Sequence, residues 1–187
     1  MSLRQYRPRR NQRRGLTPVR ARIMWGLIAL SIGLQILYPL VHGGLLRGLT
    51  IAIVYSSAAA VCIHALFSYG LRYFITYIAI TGIYAFTVEQ IGSRTGWPFG
   101  DYSYSSTLGF AIAGIPLVVP FAWMMLAHPI LIAARRVAHG WVFLYGGIAL
   151  MAWDFFLDPQ MVSAGRWIWK SVNPALPLEP MIPLSNA

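Results

Sequence analysis

The chain has 187 residues, 57% of them hydrophobic and 11% charged, and its formal net charge is +10. So high a hydrophobic share excludes an ordinary soluble domain and predicts an integral membrane protein. The positive charge does not indicate a nucleic-acid partner, because eight of the fifteen basic residues are arginines in the first 22 positions, directly ahead of an apolar stretch.

Basic residues ahead of a first apolar stretch are typical of a segment that stays in the cytoplasm. We therefore predict that residues 1–21 form a basic, disordered cytoplasmic arm and that residues 22–187 form a single transmembrane domain. The arm does not resemble a secretory signal, since the apolar run after it is too long and lacks a small-residue cleavage site. The sequence thus predicts a multi-pass protein of the cell membrane with a cytoplasmic N-terminus.

Five apolar stretches follow in chain order, each close to the roughly 20 residues that a spanning helix needs. Their hydrophobicity is continuous rather than alternating, which favours helices over a membrane β-barrel. We predict an all-α, polytopic transmembrane helical bundle, with helices at about 22–40, 48–69, 71–91, 109–134 and 139–157. Three prolines in the fourth stretch predict a kinked or broken helix there: Pro116, Pro120 and Pro129.

The five carboxylates of the chain all fall toward the predicted non-cytoplasmic half. Asp154 and Asp158 are four residues apart and so share one helix face, while Glu89 ends the third helix. Two carboxylates that lie close together in a low-dielectric setting cannot both ionise easily, which provides an acid and a base in one place. Ionisable residues inside a membrane are usually functional. The alternative is a set of structural ion pairs with Arg94, Arg166 or Lys170.

Aromatic residues are frequent near these acids. Trp97 lies in the loop after Glu89, and Trp153 directly precedes Asp154. The face of an indole ring can stabilise a carbocation, so both tryptophans are candidates for a site of alkene protonation. Trp167 and Trp169 fit better with the belt of aromatic residues at a membrane–water interface.

The histidines and the cysteine favour structural roles. His64 and His128 lie within predicted helices without a second ligand at i+3 or i+4, so packing or an interhelical hydrogen bond is favoured over metal binding. The single cysteine, Cys62, excludes an internal disulfide and a Cys-rich metal site. The sequence also contains no phosphate-binding glycine loop and no nucleotide fingerprint. We expect no metal.

Three groups of residues together resemble one known family. The first is Glu89-x-x-Gly92-x-x-Thr95-Gly96-x-Pro98-Phe99-Gly100-x-Tyr102-x-Tyr104, the second is Gly114-Ile115-Pro116-Leu117 with Pro120 and Trp123, and the third is Asp154-x-x-x-Asp158-Pro159 with Trp167-x-Trp169. Over about residues 85–186 the chain resembles the polytopic carotenoid biosynthesis proteins of the bisanhydrobacterioruberin hydratase and gamma-carotene hydratase type.

The resemblance implies a cofactor-independent hydro-lyase, a carotenoid hydratase. Such an enzyme hydrates a terminal carbon–carbon double bond of an acyclic carotenoid end group, which requires a proton donor, shielding of a tertiary cation and one positioned water. It implies that Asp154 or Asp158 protonates the alkene and that Glu89 or the other aspartate activates water. The residues expected to bind the substrate are Trp97, Tyr102, Tyr104, Trp123 and Trp153.

The implied partners are a lipophilic carotenoid substrate, the lipid bilayer and other carotenoid biosynthesis enzymes. Two other functions remain open: an end-group cyclase or isomerase that uses the same protonation, and a non-catalytic membrane protein that binds pigment or serves as a scaffold. Family members continue past a Pro-Leu-x-Asn segment into further membrane helices. Because Ala187 directly follows Asn186, we expect the chain to be truncated at its C-terminus relative to the family.

Overall fold

The computed structural model describes residues 17–186. Most of the predicted basic arm therefore lies outside the described residues, and the arm remains a prediction. The first helix begins at Pro18, where Thr17 precedes it and its hydroxyl accepts a hydrogen bond from the Arg20 amide. This is the usual way in which a threonine satisfies a free amide at a helix start.

The prediction of a helical bundle with five spanning helices is confirmed. Among the described residues, five helices are long and apolar enough to cross a membrane. They are α1 (Pro18–Leu37, continued by a 3-10 turn over Tyr38–Leu40), α2 (Gly44–Tyr69), α3 (Leu71–Thr95), α4 (Val118–Val137) and α5 (Val142–Ser163). This architecture is that of a multi-pass membrane protein.

The short strands found in residues 17–186 all lie in the segments that precede α4 and follow α5. They form three antiparallel pairs, in which β1 joins β4, β2 joins β3, and β5 joins β6. The strands are β1 (Tyr102–Tyr104), β2 (Ala111–Ile112), β3 (Ile115–Pro116), β4 (Trp167–Trp169), β5 (Ala175–Leu176) and β6 (Glu179–Pro183). The first pair links residues 96–117 to residues 164–186. We call these two segments together the cap.

The predicted start of the fourth helix at residue 109 is wrong. Residues 111–116 form the β2–β3 hairpin, and α4 begins only at Val118. Gly109 and Gly114 adopt φ angles of +89° and +90°, which the interior of a right-handed helix does not allow. Pro116 lacks the amide hydrogen that a helix interior needs. Pro129 does lie inside α4, as the sequence predicts.

Three helices form the centre of the bundle, and one further helix packs at each side of it. α2 and α4 pack against each other, and α3 packs against both of them. α1 packs on α2, and α5 packs on α4. A cluster of buried apolar residues joins the cap to the start of α4, and it consists of Leu108, Ile115, Val118 and Val119. The cap is therefore attached to the bundle by its own hydrophobic core.

His64 and His128 connect two helices, as one of the sequence-based interpretations predicts. Their side chains are hydrogen-bonded, with 3.0 Å between His64 Nδ1 and His128 Nε2. The other ring nitrogen of His128 lies 2.9 Å from the Tyr73 hydroxyl. His128 is only 2% exposed, so both of its polar atoms have partners in an apolar setting. The pair joins α2 to α4, and Tyr73 adds α3.

Candidate functional site

A cavity of about 530 Å³ lies between the helices and the cap. All five helices contribute to its lining, and so do β1 and β4. Three of its lining residues are carboxylates, and they come from two different helices: Glu89 from α3, and Asp154 and Asp158 from α5. Apart from these acids, most of the lining is aliphatic and aromatic. The cavity therefore collects most of the acidic residues of the chain in an apolar place.

Glu89 is buried and accepts three hydrogen bonds. Its Oε2 atom accepts from the Tyr102 hydroxyl at 2.6 Å and from the Tyr104 hydroxyl at 2.7 Å. Its Oε1 atom accepts from the Trp123 indole nitrogen at 3.0 Å. The side chain is only 5% exposed, so the three donors replace the water that a carboxylate would otherwise hold. We call Tyr102, Tyr104 and Trp123 the Glu89 cradle.

The local backbone explains why the two phenols converge on Glu89. Residues i and i+2 of a strand point to the same face, so Tyr102 and Tyr104 in β1 both reach α3. Gly92 lies one turn after Glu89, and a Cβ atom there would be 2.9 Å from the Tyr102 hydroxyl oxygen. The absence of a side chain at Gly92 thus allows the phenol to lie against the helix.

The two phenols of the cradle remain protonated donors. Burial raises the pKa of Tyr102 well above its usual value, and the nearby Glu89 charge raises it further. The pKa of Tyr104 is raised for the same two reasons, with burial as the larger one. A hydroxyl that keeps its proton can donate to Glu89 at any ordinary pH. Glu89 is accordingly held in the role of acceptor.

Asp154 and Asp158 face the same cavity from successive turns of α5, as their spacing predicts. Asp158 is 7% exposed, and its Oδ2 atom accepts a hydrogen bond from the Asn186 side-chain amide. Asp154 makes no side-chain hydrogen bond within residues 17–186. The acids thus differ in their surroundings, since Glu89 and Asp158 are held by donors and Asp154 is not.

Basic side chains do not neutralise these acids in the part of the chain that the structure describes. The salt bridge found there joins Lys170 to Asp101 at 2.9 Å, with both side chains about half exposed. Arg166 is buried, but its side-chain hydrogen bond goes to the Thr107 hydroxyl at 3.4 Å. The alternative in which Arg94, Arg166 or Lys170 pairs with the cavity carboxylates therefore has no support between residues 17 and 186.

Four of the five expected substrate-binding residues line the cavity: Tyr102, Tyr104, Trp123 and Trp153. Three of them also form the Glu89 cradle, a contact that sequence reasoning missed. Trp153 has a buried indole nitrogen without a hydrogen-bond partner among the described residues.

The structure places Trp97, an expected substrate-binding residue, outside the cavity. Its side chain is 71% exposed and is not part of the cavity lining. α3 ends at Thr95, and the next residue, Gly96, adopts a left-handed conformation with φ of +73°. This reversal takes the chain away from the helix axis at Trp97. The ring next to the cavity from this turn is that of Phe99 instead.

Trp167 and Trp169, for which the sequence suggested a place in an interfacial belt, contribute to the cavity. Both line the cavity as part of β4, where they pair with Tyr104 and Tyr102 of β1. The Trp169 indole nitrogen donates to the Phe99 carbonyl at 3.0 Å. The Trp-x-Trp spacing of a strand face was the available signal, because alternate residues of a strand share a side.

Asn186 is a further site residue that sequence reasoning did not propose. It follows strand β6, whose last residues Ile182 and Pro183 are buried. Packing of this strand brings the Asn186 amide to Asp158. Within the described residues, no group of three or more His, Cys, Asp or Glu side chains is arranged to hold a metal ion. The polar groups that line the cavity include carboxylates, phenols, an amide and indoles.

Comparisons with known proteins agree on one class. A family described as "Carotenoid biosynthesis protein" matches residues 48–183. The chain is also similar to the bisanhydrobacterioruberin hydratase of Haloarcula japonica, with 34% identity over 100 residues. That match covers 50% of this chain and 34% of the relative, so it spans about a third of the relative's length. No solved structure matches the chain.

Proposed function

The chain belongs to the carotenoid biosynthesis protein family, and on this premise we propose that it hydrates a terminal carbon–carbon double bond of an acyclic carotenoid end group. The observation that supports the proposal is the meeting of Glu89, Asp154 and Asp158 in one largely apolar cavity. The similarity to a protein named as a hydratase supports the same reaction class. Carotenoid biosynthesis is the broader role, and the hydration step is the proposal.

The first step is protonation of the alkene. Asp154 is the best candidate for the acid, because the other two carboxylates already accept hydrogen bonds from protein donors. The proton goes from Asp154 to the less substituted carbon of the double bond. A new C–H bond forms, the π bond breaks, and a tertiary cation remains at the other carbon.

The second step is addition of water to that cation. A water oxygen forms the new C–O bond, and its surplus proton passes to a carboxylate. Asp158 suits this part, since it lies one helical turn from Asp154 and can return the proton to it. Glu89 is fixed by its three donors, and its negative charge stabilises the cation. The net change is one water added and no redox step.

Expression of the chain in cells that accumulate acyclic carotenoids tests the proposal. We expect the extracted pigment to gain the mass of one water molecule for each modified end, and Asp154→Asn to abolish this product. Asp101→Asn is the matched control, because Asp101 pairs with Lys170 at the surface and does not line the cavity. It should retain full activity.

Other pigment outcomes would contradict the hydratase proposal. A new pigment of unchanged mass would instead indicate a cyclase or an isomerase that protonates the same end group. Unmodified pigment with the unaltered chain, together with pigment that copurifies with it, would indicate a binding protein without catalysis. In that last case, Asp154→Asn should leave the pigment composition as it is.

A further inference from the structure

The lining of the cavity has a polar and an apolar part. The three carboxylates and Asn186 belong to the polar part, whereas Ile53, Leu126 and Leu150 belong to the apolar part. Leu150 precedes Asp158 by eight residues on α5, which corresponds to about 12 Å along a helix axis. We call the part lined by Ile53, Leu126 and Leu150 the deep end. It suits a hydrocarbon better than any polar ligand.

The size of the cavity bears on what it can enclose. A volume of about 530 Å³ is typical of a pocket for one compact small molecule. The end group of a carotenoid fits such a space, but the long polyene that follows it does not. If the end group lies at the carboxylates, the rest of the substrate must therefore leave the cavity.

The arrangement of the helices indicates a side for this exit. α2 and α4 pack against each other, with α1 beside α2 and α5 beside α4. Within residues 17–186, neither α1 nor α3 packs extensively on α5, but the β1–β4 pair of the cap connects α3 with α5, so the side between α1 and α5 is the candidate exit. The rims of this gap carry cavity-lining residues on both sides: Gln35 and Tyr38 at the end of α1, and Leu150 and Phe156 on α5.

We infer that the gap between α1 and α5 is a lateral binding groove for the polyene, which lets an acyclic isoprenoid enter from the bilayer and keeps its chain there during reaction. This inference rests on the proposed function, because it places the reacting end at the carboxylates. The groove faces the hydrocarbon region that the five spans imply, so the substrate never crosses water. The deep end then contacts the hydrocarbon chain of the substrate, whereas the carboxylates contact the reacting double bond.

A bulky side chain at the deep end tests the groove. We expect Leu150→Trp to lower the hydrated product from lycopene, a long acyclic carotenoid, by roughly tenfold or more, since the extra ring overfills the space for the chain. Myrcene, a short monoterpene with the same dimethyl-substituted terminal double bond, should lose about twofold or less, because it ends before the groove. Equal losses with both substrates in a folded variant would overturn the inference.

The matched control is Ile148→Trp. Ile148 lies two residues away on the same helix, is 49% exposed and does not line the cavity, so its side chain points elsewhere. This variant should convert lycopene and myrcene as the unaltered chain does. A selective loss of lycopene conversion in Ile148→Trp would contradict the placement of the groove.

A labelling experiment covers the case in which Leu150→Trp does not fold. Leu150→Cys is prepared together with Cys62→Ser, so that the introduced thiol is the one cysteine of the chain. Lycopene should slow its reaction with a membrane-soluble maleimide by roughly fivefold or more, because the bound chain covers the groove wall, and myrcene should not. No protection by lycopene would overturn the inference.

The two proposals fail in different ways. Protection of the thiol by lycopene without any hydrated product from the unaltered chain would keep the groove and reject the hydratase. Hydrated lycopene without protection, and with full activity of a folded Leu150→Trp variant, would keep the hydratase and reject the groove.

Discussion

Glu89 has both of its oxygen atoms occupied by protein donors, and this limits what the residue can do. Three hydrogen bonds from Tyr102, Tyr104 and Trp123 fix the carboxylate in one orientation. A group held in this way stabilises a nearby positive charge without rearranging when the charge appears. Asp154, with no such partner among residues 17–186, is free to turn toward a substrate. The two acids therefore suit different parts of one reaction.

Replacement of Glu89 by glutamine separates the effect of its charge from the effect of its side-chain shape. We expect Glu89→Gln to reduce hydrated product by roughly 100-fold or more, because the amide keeps the size of the side chain but removes the charge that faces the cation. Tyr102→Phe should reduce product by only about tenfold, since it removes one of three hydrogen bonds to a charged group. Pigment analysis of matched expression cultures measures both. A Glu89→Gln variant that is folded and fully active would contradict the assignment.

We expect the phenols of Tyr102 and Tyr104 to ionise at a higher pH than ordinary tyrosines do. The raised pKa values of Tyr102 and Tyr104 keep these groups protonated in the folded protein after ordinary tyrosines, with pKa near 10, have ionised. Their contribution to stability is therefore fully present below about pH 10 and is lost as the pH rises toward the raised values. Tyrosinate absorbance should show a late step that Tyr104→Phe makes smaller.

The unfolded protein supplies the control for this titration. In denaturant the two phenols lose both burial and the Glu89 charge, so the late step should disappear. A late step that persists in denaturant, or that is unchanged in Tyr104→Phe, would show that other tyrosines cause it.

Strand β1 packs closely against α3 at Gly92 because this residue has no side chain. A Cβ atom at residue 92 would lie 2.9 Å from the Tyr102 hydroxyl oxygen and 3.2 Å from the Phe99 ring. Because Glu89 holds that hydroxyl at 2.6 Å, the phenol cannot move without breaking a hydrogen bond. The contact between helix and cap is thus also part of the site.

Gly92→Ala tests this contact. We expect the added methyl group to displace the Tyr102 phenol from Glu89 and to reduce product by roughly tenfold. Gly147→Ala on α5 is the control, since a Cβ atom there meets nothing within 4 Å. It should leave product unchanged. Pigment analysis and the melting temperature in detergent are measured for both variants, and an active Gly92→Ala variant would argue against the contact.

Strand β6 carries Asn186 to the cavity, so the last described residues act on Asp158. We expect Asn186→Ala to reduce product by roughly tenfold, because the amide that holds Asp158 as an acceptor is lost. Ser185→Ala, at the exposed neighbouring position, should retain full product. A loss of folded Asn186→Ala protein that accounts for the whole loss of product would mean that Asn186 has a purely structural role.

At the scale of the whole molecule, the His64–His128 hydrogen bond joins the two central helices on the other side of the bundle from the cap. We expect His128→Ala to lower the melting temperature in detergent by several degrees, because it removes both interhelical contacts of a side chain that is 2% exposed. His139→Ala, in the exposed loop between α4 and α5, should have no effect. Equal melting temperatures for all three proteins would contradict a structural role of the pair.

Much of the architecture could be predicted because long apolar runs have few alternatives in a membrane. The convergence of Glu89 with Asp154 and Asp158 on one cavity could be anticipated for a similar reason, since charged groups collect where protein surrounds them. The β2–β3 hairpin was missed because residues 109–117 are as apolar as a helix and only their glycines and Pro116 differ. Asn186 and the exposed Trp97 depend on pairings between distant segments, which local patterns do not reveal.

The pairing of β1 with β4 has a consequence for biogenesis. β1 is synthesised before α4 and α5, whereas β4 emerges only after both of these helices. During translation, the phenols on β1 can reach Glu89 well before their strand acquires its partner. The cavity therefore closes only after the membrane insertion of the five described helices, and a chain synthesised only as far as α4 exposes Glu89 without the opposing aspartates.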